Sequence, residues 1–565
     1  LTKLFTRMMS SRFQTMADEK GLISKNQIGF RKKYRTADHL LALKAVIKKY
    51  VTKGKGKVYA CFVDLKKAYD SVSHKKLFSR LRALGLNGKL IDLVENMYSK
   101  TKCAIKINGK ITTFFRYSKG VRQGCPLSCL LFNLYINDVT NVLTCVGDQS
   151  IRLSDDDIIN ILMYADDLII LAQSQEELQI KMDVLTEFLL RKRLVLNEAK
   201  TKCMVFNRGN KLCKCELKIN GNIIENVKTF KYLGFTIGAK NCSFKGTCED
   251  LCIKTKRAIF ALNNTMKISK LPVKLALQIF ATQLAPILLY GAEVWGPYVF
   301  NDYADWERND IEKVHTQFVK RIIGCDVRTS NLMARTEVGR RPLICDIIQK
   351  SLVYLNNMES NLESLAGQAL KYEWENSDKD NIFQLAREFP HLYRGPNQSV
   401  ESLDKKKIRN CINESYKQIW NTEIRKLSKA ESYKQFKENI TFEKYLSIIE
   451  NEKHRKALTR LRLSCHPLMI EKGRHHKIPI PRTERFCPFC TSEVETEQHF
   501  VTYCSKYDTE RLSLFRIASE NSIHFENMSY ELKFIFLFSN ENKNVLSKLR
   551  AFAYHSFKHR EASLA

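Results

Sequence analysis

Three aspartates stand where apolar sequence leaves them little water. Val58-Tyr59-Ala60-Cys61-Phe62-Val63 runs into Asp64, and the mainly apolar segments 158–162 and 168–171 bracket the pair Asp166-Asp167. A carboxylate beside a core strand is costly to desolvate unless a cation or a donor compensates it. Two adjacent carboxylates at the tip of an apolar hairpin, joined by a third from a separate strand, suit hard divalent cations with oxygen ligands, Mg2+ or Mn2+. Two such ions about 3.5–4 Å apart stabilise both the attacking and the leaving oxygen of an in-line phosphoryl transfer. Asp64 and Asp166 are the first candidates as ligands and Asp167 is the third carboxylate. The backbone carbonyl of Leu65 could add another oxygen.

A second constellation lies near the other end of the sequence. Cys487-Pro488-Phe489-Cys490 is followed after eight residues by His499 and after four more by Cys504. The first two cysteines form a tight chelating turn, and three thiolates with one imidazole fill a tetrahedral Zn2+ shell, so a structural zinc is expected. His466, His475 and His476 lie just upstream among Arg460, Arg462, Lys472 and Arg474. They are expected to form a nucleic-acid-facing surface and not a second metal site.

Elements must hold these residues in place. Leu178, Met182, Leu185 and Leu189 recur at helical spacing with charged residues between them, which predicts an amphipathic helix covering a sheet. The segments 194–196, 202–206 and 230–235 predict short strands or turns in the same layer, so residues 58–240 predict a mixed α/β sheet domain with the carboxylates at its centre. Only one of the eleven prolines precedes residue 272, Pro126, so the loop around Gln123-Gly124-Cys125-Pro126-Leu127-Ser128 is a deliberate break. From Cys252 to Leu343 the pattern turns helical, with Lys254, Lys256, Arg257, Lys267 and Lys270 available to face a phosphate backbone. Residues 356–382 are polar and acidic, and the stretch 390–397 carries Pro, Gly and Asn, which sets soft boundaries there.

The 93 Lys and Arg against 60 Asp and Glu give a net charge of +33, the sign and size that attract polyphosphates. Residues 1–60 alone hold fifteen basic and three acidic residues. Eighteen cysteines, several inside apolar segments, predict reduced core residues of an intracellular protein and not a disulfide framework. No uninterrupted apolar run reaches the length of a membrane span, so no membrane association is expected.

The order of motifs resembles a reverse transcriptase of the non-LTR, LINE-like retrotransposon class. Gln27-Ile28-Gly29-Phe30-Arg31 with Thr36 and Asp38, the run Asp64 to Asp70, Gln123 to Ser128, Tyr164-Ala165-Asp166-Asp167, Leu196 to Thr201 and Tyr232-Leu233-Gly234 follow the family's sequence of motifs. The likeness continues to Tyr290–Trp295 and the cysteine cluster. It implies an α+β right-hand polymerase of fingers, palm and thumb, with a mainly helical C-terminal region and a small zinc-binding cluster. The division expected is fingers and palm at 1–240, thumb at 241–350, a basic helical connection at 351–477, the zinc cluster at 478–510 and a helical tail at 511–565.

The resemblance also implies roles. Tyr69 would gate against the ribose 2′-hydroxyl, Gln123 and Gly124 would border the incoming nucleotide, and Arg31 would hold triphosphate oxygens. Lys200 would neutralise or protonate the leaving pyrophosphate, and Tyr232, Leu233 and Gly234 would press the primer end toward the metals. An RNA template, a DNA primer or nicked target DNA, and deoxynucleoside triphosphates are the implied partners, in an intracellular ribonucleoprotein of nucleus and cytoplasm. Where the family usually has proline after Ser128 this chain has Cys129. A noncatalytic nucleic-acid-binding relic and, more remotely, a group II intron maturase are the alternative readings. Leu1 in place of Met suggests a fragment, and no endonuclease is expected within it.

Overall fold

The computed structural model describes residues 2–146, 150–154, 157–376, 381–393, 395–396 and 404–565. The soft boundaries at 356–382 and 390–397 therefore fall partly outside the described residues. The chain forms two compact units, one of Leu1–Thr247, Glu293–Val299 and Ser351–Ser402, the other of Cys248–Ala292, Phe300–Lys350 and Leu403–Ala565.

The first unit is built on an antiparallel sheet of β1 (Val58–Val63), β2 (Ile161–Tyr164), β3 (Asp167–Ala172) and β4 (Lys202–Phe206), in the order β4-β1-β3-β2. Register is fixed by Cys61 opposite both Cys203 and Ile170, by Val63 opposite Leu168 and by Ile161 opposite Ile170. Side chains alternate between faces, so Cys61, Val63, Cys203, Val205, Ile161, Met163, Leu168 and Ile170 enter one core. Leu178, Met182, Leu185 and Leu189, on the helix Gln175–Arg191 predicted from their spacing, close that face. The helix Pro126–Ile136 joins the same core, opened by Pro126 in its first turn where a missing N–H costs nothing. β1 and β3 are buried on their other face as well, which explains their nearly continuous apolar sequence.

A hairpin of β5 (Thr229–Tyr232) and β6 (Phe235–Gly238) lies against that other face, with Phe230 stacked on Phe62 at 4.3 Å between ring centroids. The helix Thr36–Ile47 is buried almost all round and packs against Leu365–Glu375. Here the Tyr354 hydroxyl donates to the Asp38 carboxylate at 2.9 Å, and Lys48 pairs with Glu373 at 2.9 Å in a buried ion pair.

The second unit is helical apart from the cysteine hairpin and isolated bridges, among the described residues. Its interior is specified by charge pairs as well as apolar packing. Glu312 lies between Arg335 and His315, and Arg462 bonds Glu337 and Glu443 beneath the Tyr433 hydroxyl's bond to Glu337. All eighteen cysteines are unbridged, as their apolar settings predicted. No single helix among the described residues is long and apolar enough to cross a membrane.

Candidate active site

Asp64 follows directly on β1, and Asp166-Asp167 form the turn between β2 and β3, so strand pairing brings the three carboxylates together at one end of the sheet. The turn is a two-residue loop closed by Tyr164 opposite Asp167, with Ala165 at φ 57°. A left-handed backbone at a residue with a Cβ is strained by about 1–2 kcal/mol and persists only where its surroundings hold it. Gln27 does so: its Oε1 accepts from Ala165 N at 2.9 Å and from Gly29 N at 2.9 Å, and its Nε2 donates to Ala165 O at 3.3 Å. Gly29 sits so close that a Cβ there would lie 2.9 Å from the Tyr164 carbonyl carbon and nearer still to Ala165 N.

Asn197 orients the other carboxylate, its Nδ2 donating to Asp64 Oδ2 at 2.8 Å while its backbone N donates to Asp64 O at 2.8 Å. Burial raises the pKa of Asp167, and the Asp166 and Asp64 charges add to this, carrying it to about 6. Asp166 is raised by burial against the pull of its own backbone amide, with Asp64 adding to the rise. No protein cation figures among the causes of either shift. Three hard oxygen donors close enough for their charges to oppose one another are a donor set that fits divalent cations.

A cleft of about 200 Å³ is lined by Asp64, Asp167, Lys200, Tyr232 and Leu233, among others. Lys200 is exposed within it. The turn opposite is the tip of the β5–β6 hairpin, where Leu233 at φ 47° and Gly234 at φ 88° satisfy the twist of a two-residue hairpin loop. Tyr232 anchors it from below, its hydroxyl 2.9 Å from His39 Nδ1. Burial holds His39 neutral, with a pKa lowered to about 3 against the opposing effect of the Asn26 backbone.

Tyr69 stacks on Phe132 at 4.8 Å and stands near Cys129 and Asp166; its phenol is raised, first by burial and then by those neighbours. Cys129, in place of the family's proline, thus touches the gate candidate itself. Gln123 donates to Asp70 at 3.1 Å, and Val121 N donates to Tyr69 O at 2.8 Å, so the glycine-containing loop is laced to the turn after β1. Gly124 takes φ 77°, a conformation open to glycine. Leu65 is buried and pairs with Leu196. Arg31 turns its fork to the carbonyls of Ser24 and Gln27, both at 3.1 Å, and to Asp18 at 3.3 Å, bracing the loop that carries Gln27.

In the second unit the ligand atoms of Cys487, Cys490, His499 and Cys504 all lie within 4.8 Å of one another. Cys504 Sγ is 3.9 Å from Cys487 Sγ and 3.5 Å from Cys490 Sγ, close to the tetrahedral edge of about 3.8 Å that a Zn–S bond of 2.3 Å implies. His499 is buried with neither ring nitrogen hydrogen-bonded. That is the signature of a ligand set, and these residues fit zinc. Thr496 caps the helix Glu497–Thr502 that presents His499, and the Arg511 guanidinium gathers the carbonyls of Val501 and Cys504 behind it. The upstream surface needs correction: His466 is buried on Glu497 at 2.8 Å and Arg462 is buried on Glu337, so only Arg460, Lys472, His475 and His476 of that group lie exposed.

Gln27 and Asn197 carry no signal in the sequence beyond their place in the motifs, and only their bonds to Ala165 and Asp64 reveal what they do.

Three clustered carboxylates at the end of an antiparallel sheet, beside an exposed lysine, define a candidate site for metal-assisted phosphoryl transfer. Residues 1–237 match the reverse transcriptase (RNA-dependent DNA polymerase) family. The chain is similar to the RNA-directed DNA polymerase from mobile element jockey of Drosophila funebris, at 25% identity over 65% of this chain and 39% of that protein. It is also similar to the Pol polyprotein from type-1 retrotransposable element R2 of Nasonia vitripennis, at 33% identity over 31% of this chain and 16% of that protein. The chain spans well under half the length of these relatives. Among solved structures it is similar to apo telomerase of Candida tropicalis, with a TM-score of 0.34 and 14% identity over 65% of this chain and 61% of that one.

Proposed function

We propose that this chain is an RNA-directed DNA polymerase that adds deoxynucleotides to a primer 3′-hydroxyl on an RNA template. The convergence of Asp64, Asp166 and Asp167 with Lys200 and the Tyr232–Gly234 turn carries the reading. When bound at the three carboxylates, a pair of divalent cations supplies activation of the primer hydroxyl and charge stabilisation of the leaving pyrophosphate. Asp64 and Asp166 hold that pair, the first oriented by Asn197 and the second by the turn that Gln27 braces. Asp167 supplies the third carboxylate. Lys200 offers a mobile ammonium to the departing pyrophosphate, a role suited to a compact charge on a flexible stem. The ring of Tyr69, fixed on Phe132, excludes a 2′-hydroxyl, while Gln123 and Gly124 border the incoming base.

The division into fingers and palm at 1–240, thumb at 241–350, connection at 351–477, zinc cluster at 478–510 and tail at 511–565 belongs to the same proposal. So do the nicked DNA target as primer and the ribonucleoprotein setting. In the zinc cluster Cys487, Cys490, His499 and Cys504 fill the coordination shell and leave no place for an activated water, so the metal's role is structural.

Primer extension by the purified chain on an RNA template, with Mg2+ and deoxynucleotides, tests the proposal. Asp64→Asn or Asp166→Asn should abolish addition while template binding persists, because the basic surface is untouched. Extension at a near-normal rate by either variant would refute the assignment.

A further inference from the structure

A concavity of about 1300 Å³ in the first unit shares no lining residue with the carboxylate cleft. Its walls are the helix His74–Ala83, residues 116–119 following the strand pair Lys102 and Arg116, and the stretch 191–195 beyond Gln175–Arg191. Eight Lys or Arg side chains line it against a single carboxylate, Glu95. Asp138 neutralises part of this charge, pairing with Lys192 at 2.8 Å and Arg80 at 3.9 Å. Among the described residues Lys75, Arg116, Lys119 and Arg193 face the concavity with no acidic partner.

Cations gathered in a concave wall repel one another and concentrate a positive field, which favours a polyanion. The space exceeds the roughly 300–1,000 Å³ of small-molecule sites and is large enough to take a polymer. Aromatic groups complete the pattern. His74 stands edge-on to Tyr98 at 5.0 Å and to Tyr117 at 5.5 Å, and all three rings line the concavity. Rings interleaved with unpaired cations are what bases and phosphates of an unpaired strand require.

We propose that this groove binds the phosphate backbone of a single-stranded nucleic acid at a site distinct from the polymerase centre. Lys75, Arg116, Lys119 and Arg193 contact phosphates, and Tyr117 offers a stacking surface. The inference rests on the groove and not on the polymerase reading.

The test compares the full chain with a variant carrying Lys75→Glu, Arg116→Glu, Lys119→Glu and Arg193→Glu, using oligouridylate and oligothymidylate of equal length as probes. Affinity for at least one probe should fall tenfold or more, and the dependence of log K on log salt should flatten by about 2 to 3, at about 0.7 per lost phosphate contact. Extension of a saturating, pre-annealed primer–template should be unchanged, which also shows that the variant is folded. The more strongly affected oligomer tells whether the strand is RNA or DNA. On the unmodified chain, a photoreactive oligomer should label residues 98–119 even with primer–template bound, and equally with Asp166→Asn. Unchanged affinity and slope would overturn the proposal. So would labelling that disappears under saturating primer–template, since the groove would then belong to the template channel.

Discussion

Gly29→Ala tests how tightly the aspartate turn is held. The added methyl would stand 2.9 Å from the Tyr164 carbonyl carbon and closer still to Ala165 N, both backbone atoms that cannot swing aside. Carbon contacts are comfortable at about 3.5–4.0 Å, so the peptide ahead of Asp166 must move by about 1 Å or the Gln27 loop must retreat by as much. Overpacking of this kind costs about 1–3 kcal/mol of stability. A misplacement of about 1 Å at a reacting centre costs about a hundredfold in rate. The variant should therefore extend primers about a hundredfold more slowly at saturating nucleotide while binding primer–template normally, with a melting point lower by only a few degrees. Single-turnover extension alongside thermal unfolding measures both. A rate within threefold of the parent would refute the claim that this contact positions Asp166.

Tyr69→Ala should admit ribonucleotides, read as a rise of at least tenfold in the ratio of ribonucleotide to deoxynucleotide incorporation; unchanged discrimination would remove Tyr69 from the gate. Although burial raises the Glu312 pKa, the Arg335 and His315 charges outweigh it and hold the group at about 2. Such a depressed carboxylate stabilises the fold above its unfolded pKa of about 4.5 and loses that contribution as the pH falls toward 2, about 3 kcal/mol in all. Glu312→Gln should flatten the denaturant midpoint across that window, and an unaltered pH profile would show the pair to be silent. Metal analysis should find one tightly held zinc, and Cys490→Ser should increase amide exchange across 485–505 while leaving primer extension intact. Native protection in zinc-free protein would exclude the ligand set.

The three carboxylates were legible because each interrupts an apolar run, and the zinc ligands because short chelating spacings survive in one dimension. The helix Gln175–Arg191 followed from its periodicity, and β1 through β4 from short apolar runs. What escaped were contacts between distant segments. Gln27 reaches Ala165 across 138 residues and Asn197 reaches Asp64 across 133, with side-chain amides that carry no periodic signal. Arg462 and His466 were misread because a basic residue is usually exposed unless paired, and their partners Glu337 and Glu497 lie 125 and 31 residues away. The joining of 293–299 and 351–402 to the first unit was equally hidden.

That joining bears on synthesis at the ribosome. Asp38 and Lys48, on the first buried helical segment to be translated, meet Tyr354 and Glu373 more than 300 positions later. Until those positions emerge, the nascent sheet has its catalytic strands but lacks the layer that covers this segment. A product terminated between residues 240 and 350 would contain all three catalytic aspartates and yet expose that apolar face to chaperones and proteases. An engineered minimal polymerase should therefore keep the sequence through Glu375 or supply it in trans.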